Sequence, residues 1–90
     1  MIGAFEKIAI RLEEQEKNAV LFRTKAELLE ECAAGSKAAG TAKAYKKEQK
    51  RMQELRAWID GFLAGLYVEG VITQDEYLTL YRIMLDMQFH

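Results

Sequence analysis

Two long series of apolar residues at helical spacing dominate this chain of 90 residues. In each series an apolar side chain recurs after three or four positions, the interval at which side chains return to one face of a helix. The first comprises Phe5, Ile8, Leu12, Ala19, Phe22, Ala26, Leu29 and Ala33, with Gln15 out of pattern; the second comprises Tyr45, Met52, Leu55, Ile59, Phe62 and Leu66, with Glu48 as a polar interruption. The two series predict two long helices that pack against each other.

The composition supports an all-α fold in a single domain. Half of the residues are apolar, 30% are charged and there is no Pro, which excludes a disordered chain and leaves nothing to break a helix. A chain of this length buries only about 60 to 65% of its unfolded surface on folding. Self-association would add buried surface, so we expect a homodimer.

We predict one domain, residues 1–90, with helices at 4–33, 41–69 and 74–88. Residues 34–41 lack large side chains and include two glycines, which favour a helix end and a turn, so we interpret them as the loop of a hairpin. Gly70 is placed to end the second helix in the same way.

The start of the third helix has the strongest local signal. Thr73 and Glu76 form the pattern of a capping box, in which each side chain accepts a hydrogen bond from the other residue's backbone N–H. The connection from Gly70 to Ile72 is short, so the third helix should fold back along the second. The predicted fold is a long antiparallel helical hairpin with a short third helix packed on one end, where it resembles a three-helix bundle.

The third helix has more apolar surface than one core contact needs. Its apolar residues cover an arc of about 240°, whereas a helix lying on a soluble core needs little more than 100°. Those residues are Tyr77, Leu78, Leu80, Tyr81, Ile83, Met84, Leu85, Met87 and Phe89. Either both long helices clamp this helix between them, or a second chain covers the excess.

We favour the second interpretation and predict a partner-binding surface. Its apolar centre is Leu78, Tyr81, Met84 and Leu85, and its acidic rim is Glu13, Glu14 and Glu16. An apolar centre with an acidic rim suits a larger protein whose own surface is basic.

Small residues on the second helix also indicate a close contact. Ala57, Gly61, Ala64, Gly65 and Val68 share one side of that helix. Each glycine inside a helix costs about 1 kcal/mol relative to alanine. Two glycines four positions apart suggest that another backbone approaches closely, either the third helix of the same chain or a partner helix.

Charge is segregated along the chain. Residues 43–56 have a net charge of +4, and residues 57–90 have a net charge of −4 when His90 is neutral. Lys43, Lys46, Lys47, Lys50 and Arg51 form a basic stripe, which could grip a phosphate backbone. The alternative is ion pairing across the hairpin.

The acidic partners for that pairing would be Glu27, Glu30 and Glu31 on the first helix. The pI near 5.8 and the scarcity of aromatic residues among the lysines argue against a dedicated nucleic-acid binder. A nucleic-acid-binding accessory factor is therefore kept as the alternative function.

No catalytic or metal-binding pattern is present in the sequence. The one histidine, His90, is terminal, and the Glu-x-x-His pair of a helical metal site is missing. We therefore expect no enzymatic activity, metal or cofactor.

The N-terminal residues lack the continuous apolar core of a signal peptide or membrane span, so a cytoplasmic protein is expected. Cys32, the one cysteine, is expected to be a small buried hydrophobic residue.

The segment Gly-Val-Ile-Thr-Gln-Asp-Glu-Tyr at residues 70–77 resembles a turn of many small bacterial and prophage proteins. In them a Gly-x-Ile-Thr/Ser turn precedes a short amphipathic helix. Taken whole, the chain is similar to the small all-helical accessory proteins of phages and mobile elements, a class that includes anti-CRISPR inhibitors. This resemblance implies stoichiometric binding to a complex in a bacterial host. No family-specific motif matches, so no functional residue is transferred.

Overall fold

The computed structural model describes the backbone of residues 3–89 and the side chains of residues 3–87. Within that range the chain forms four helices and no strand, so the fold is all-α as predicted. The helices are α1 (Gly3–Arg11), α2 (Glu16–Lys37), α3 (Ala42–Val68) and α4 (Gln74–Phe89). Each helix contacts the next one along the chain, and α4 also contacts α2. Helices α2 and α3 run antiparallel, since Gly35 lies near Glu48 and Phe22 near Phe62.

The predicted single helix over 4–33 is wrong, because the chain reverses direction between α1 and α2. The backbone N–H of Gln15 donates to the carbonyl of Leu12 at 2.7 Å in the intervening turn. The reversal packs Phe5 on Phe22 with ring centroids 5.9 Å apart. A straight helix would carry the start of the first apolar series away from its end, whereas the turn buries both parts in one core. Gln15, the one residue out of pattern, marks the break.

The hairpin loop is shorter than predicted. Helix α2 continues to Lys37, and Gly35 lies inside it instead of ending it. A Cβ atom at Gly35 would lie 3.3 Å from Cδ of Glu48, so this glycine permits the close approach of α3. The hydroxyl of Thr41 caps α3 by accepting a hydrogen bond from the N–H of Ala44 at 3.1 Å. Ser36 is buried and accepts a hydrogen bond from Gln49 at 2.8 Å.

The predicted capping box at the start of α4 is present. The N–H of Glu76 donates to the hydroxyl of Thr73 at 3.2 Å, and the N–H of Thr73 donates to the Glu76 carboxylate at 2.9 Å. Gly70 has the left-handed φ of 78° that ends α3. The N–H of Val71 then bonds the carbonyl of Leu66 at 2.9 Å.

Both apolar series line the core. All members of the first series are buried or packed against the core, with Cys32 buried beside them. In the second series the core begins at Met52, because Tyr45 lies on the surface. The long α2–α3 pair gives the molecule its length of 42 Å, and α1 and α4 pack at the end opposite the loop.

Candidate interaction surfaces

Most of the apolar arc of α4 is used inside the molecule. Leu80 and Met84 are buried, and Tyr77, Ile83 and Met87 pack against the core. The clamped-helix interpretation therefore accounts for a large part of the arc. Met84 has 0% of its surface exposed and is removed from the predicted partner surface. It lies four residues after Leu80, on the face of α4 that points into the core.

Among the described side chains of α4, three apolar ones lie outside the core. Leu78 is 38% exposed, and Tyr81 and Leu85 are half-buried without belonging to the core cluster. Their spacing of three and four residues places them in one line, which we call the α4 row. The side chain of Phe89, the last member of the predicted apolar arc, lies outside the described residues.

The α4 row lies beside the part of α4 that contacts α3. Tyr77, one helical turn before Tyr81, donates its hydroxyl proton to Asp60 of α3 at 2.8 Å. This bond and the burial of the ring raise the pKa of Tyr77, with the hydrogen bond to Asp60 as the larger cause. Because residues four apart share a face, Tyr81 borders α3 as well.

The predicted acidic rim lies at the turn between α1 and α2. Glu13, Glu14 and Glu16 are exposed there, and Glu13 forms an ion pair with Arg23 at 3.3 Å. Helix α1 borders α4 on the side opposite to α3, through the contact of Arg11 with Glu76. The acidic rim and the α4 row are thus on different sides of α4, and the structure does not join them into one patch.

The small residues of α3 form a surface that no other helix of the described chain covers. Both Gly61 and Gly65 are exposed, and nothing lies within 4 Å of a Cβ atom built on either. The expected approach of the third helix to these glycines is wrong, because the bond from Tyr77 to Asp60 holds α4 on a neighbouring side of α3. Val68 continues this surface and is 82% exposed. We call Ala57, Gly61, Gly65 and Val68 the α3 face.

The basic stripe occupies the other half of the same side of α3. Lys43, Lys46, Lys47 and Lys50 precede Ala57 at helical spacing and are all exposed. None of these four lysines forms an ion pair with another residue whose side chain is described. The predicted pairing of Lys43, Lys46 and Lys47 with the glutamates of the preceding helix is therefore not seen. Among the described residues, Arg51 forms a long ion pair of 3.9 Å with Glu48 on its own helix.

No group of three or more potential metal ligands occurs among the described side chains. Burial raises the pKa of the Cys32 thiol, and that residue packs in the core as predicted. His90 lies outside the described residues. No helix in the described part of the chain is long and apolar enough to span a membrane.

No known protein family matches this sequence, and neither a characterised protein nor a solved structure is significantly similar to it. Among the exposed surfaces of the described chain, the α4 row and the α3 side with its basic stripe are the candidates for binding.

Proposed function

We propose that this chain is a non-enzymatic helical module that binds a larger protein through the α4 row. The observation that supports the proposal is the position of Leu78, Tyr81 and Leu85, which are large apolar side chains in one line outside the core. Tyrosine is enriched among the residues that dominate binding energy at protein interfaces. The row is also held on a well-packed helix, so little ordering is needed on binding.

We further propose that the partner is a complex that handles nucleic acids and that the chain inhibits it. The support is the exposed acidic group of Glu13, Glu14 and Glu16, which would speed association with a positively charged surface. The resemblance of residues 70–77 to a turn of small bacterial and prophage proteins suggests the same class of partner. In this proposal the α4 row anchors the complex, while the acidic residues steer its formation from a second side.

Variants in the two regions should separate these roles. After capture of the partner from a bacterial lysate, Tyr81→Ala and Leu85→Ala should accelerate dissociation of the complex. Charge reversal at Glu13 and Glu14 should mainly slow association and weaken its dependence on salt. Thr79→Ala, an exposed change elsewhere on α4, is the matched control. Unchanged binding by all four interface variants, or capture of a partner with an acidic surface, would contradict the proposal.

A second candidate is a nucleic-acid-binding accessory factor that uses Lys43, Lys46, Lys47, Lys50 and Arg51. The specific observation in its favour is that the four lysines are exposed and pair with no described residue. Phosphate contacts make affinity fall steeply with salt, so binding to duplex DNA or RNA should be strongest near 50 mM salt. Reversal of Lys46, Lys47 and Lys50 to Glu should abolish it. Absence of any gel shift for the unaltered protein at about 50 mM salt would eliminate this candidate.

A further inference from the structure

From the α3 face and its charges, we infer that two copies of this chain associate through α3 in an antiparallel arrangement. This inference concerns a different surface from the α4 row and does not depend on the partner proposed above. The starting point is the open space over Gly61 and Gly65, where no other part of the described chain lies within 4 Å of the point that a Cβ atom would occupy. Glycines at such positions let another helix approach the backbone closely.

The charges along the same side of α3 select the second copy as the occupant. The lysines of the basic stripe lie toward one end of α3. The other end carries Glu69, an exposed carboxylate directly after the last residue of α3. The carbonyl end of the α3 dipole adds further negative character there.

This distribution is self-complementary only when the two helices run in opposite directions. A parallel pair would place the two basic stripes against each other. In an antiparallel pair that crosses midway between Ala57 and Gly61, Lys50 of one copy comes level with Val68 of the second copy. Lys50 can then reach Glu69 of the second copy, and Lys47 reaches the turn that follows it. Two-fold symmetry repeats each contact, so both basic stripes meet an acidic end.

The size of the molecule supports use of the whole face. Helix α3 spans 27 residues and nearly the whole 42 Å length of the molecule, and each partner in a stable interface buries roughly 800 Å². The apolar residues from Ala57 to Val68 cover less than half of that length. The half of α3 that carries the lysines must therefore also lie in the interface, so its charges must be complementary to those of the second copy.

The mass in solution is the first test. The chain has a mass of 10.3 kDa, and we expect sedimentation equilibrium to show a concentration-dependent species of twice that mass. Gly61→Leu should raise the dimer Kd at least about tenfold, because its side chain occupies the space that the second backbone needs. Within the monomer that space is open, so the variant should fold, which circular dichroism would verify. Ala34→Leu, at an exposed site on α2, is the control and should leave the Kd unchanged.

A charge-swap experiment tests the orientation. Lys50→Glu and Glu69→Lys should each raise the homodimer Kd about fivefold, because each puts like charges together at both symmetric contacts. An equimolar mixture of the two variants should recover the original affinity as a heterodimer, since both contacts are then attractive. The two residues are about 28 Å apart within one helix, so rescue cannot come from a bond inside the chain.

Three results would overturn the inference. The first is a protein that stays at the monomer mass up to about 1 mM. The second is a Gly61→Leu variant that dimerises as tightly as the original protein. The third is an equimolar mixture of Lys50→Glu and Glu69→Lys that dimerises no more tightly than either variant alone. If the protein is strictly monomeric, the α3 face would instead be a binding site for a different protein. Tyr81→Ala should weaken partner binding without changing the dimer Kd, so failure of the proposed function and failure of self-association give different results.

Discussion

Arg11 of α1 donates a hydrogen bond to the carboxylate of Glu76 in α4 at 2.8 Å, and its guanidinium also reaches the carbonyl of Val71 at 3.3 Å. The same carboxylate accepts the N–H of Thr73 in the capping box. The Glu76 carboxylate thus closes the α3–α4 turn, caps the start of α4 and bonds α4 to α1. Arg11 and the Thr73 N–H together lower the pKa of Glu76 to about 2, with the bond from Arg11 as the largest cause.

The stability of the protein should therefore fall in acid between about pH 4.5 and pH 2. The folded pKa of Glu76 is about 2 and its ordinary value is 4.5, so the folded state favours the charged form. That contribution is complete above the unfolded pKa and is lost as the pH falls through the folded pKa. Glu76→Gln should flatten this part of the curve of unfolding free energy against pH.

The pair is partly exposed, so we expect the loss to be no more than about 1 kcal/mol. Glu14→Gln, which removes an exposed carboxylate from the α1–α2 turn, should keep the acid dependence of the original protein. Parallel curves for the original protein and Glu76→Gln would show that this pair does not contribute.

Thr73→Ala should cost about 1 kcal/mol, because the first turn of α4 loses its capping hydroxyl. Native-state hydrogen exchange should show faster exchange in α4 than in the α2–α3 pair, since the cap belongs to α4 alone. Thr79→Ala has no cap to lose and should be within about 0.5 kcal/mol of the original protein. Equal loosening of all four helices would instead show that the bundle unfolds as one cooperative unit.

The glycines should respond in opposite directions to replacement by alanine. In dilute solution, Gly61→Ala and Gly65→Ala should each stabilise the monomer by about 0.5 to 1 kcal/mol, because both sites are helical and have room for a methyl group. Gly70→Ala should destabilise it by about 1 to 2 kcal/mol, because its φ of 78° is strained for any residue with a Cβ atom. Urea titration measures all three changes. Stabilisation by Gly70→Ala, or destabilisation by either helical variant, would contradict this account.

The sequence predicted the core well because burial follows helical spacing closely. The series that begins at Phe5 is buried or packed throughout, although it spans two helices and not one. Helical spacing indicates which face of a segment is buried. A turn that keeps that face toward the core therefore leaves the spacing of the apolar residues almost unchanged. Gln15 was the one available sign of the break. Similarly, the sequence predicts a helix stop at Gly35, because the role of this glycine depends on Glu48, a residue that only the tertiary structure brings close.

The surfaces were harder to predict, since exposure depends on where neighbouring helices lie. The arc of α4 was correctly identified as apolar, but the division between the buried Met84 and the accessible Leu78 required the positions of both α2 and α3. For the same reason the sequence leaves α4 as one of two helices that could approach the glycines of α3, and the structure excludes it. The bond between Tyr77 and Asp60, which fixes α4 on another side of α3, left no signal at the sequence level.

That bond should contribute measurably to stability. Tyr77→Phe removes the donor to Asp60 and should cost about 1 kcal/mol. Tyr45→Phe, at a surface position 48% exposed, should have almost no effect. A double-mutant cycle with Asp60→Ala isolates the pair, and we expect a coupling of about 0.5 to 1.5 kcal/mol.

The folded state raises the pKa of Tyr77, so the pair's contribution is complete below the unfolded pKa near 10 and is lost as the pH rises through the folded value. Additive effects of the two substitutions, with no difference between Tyr77→Phe and the original protein in alkaline titration, would show that packing alone holds α4 on α3.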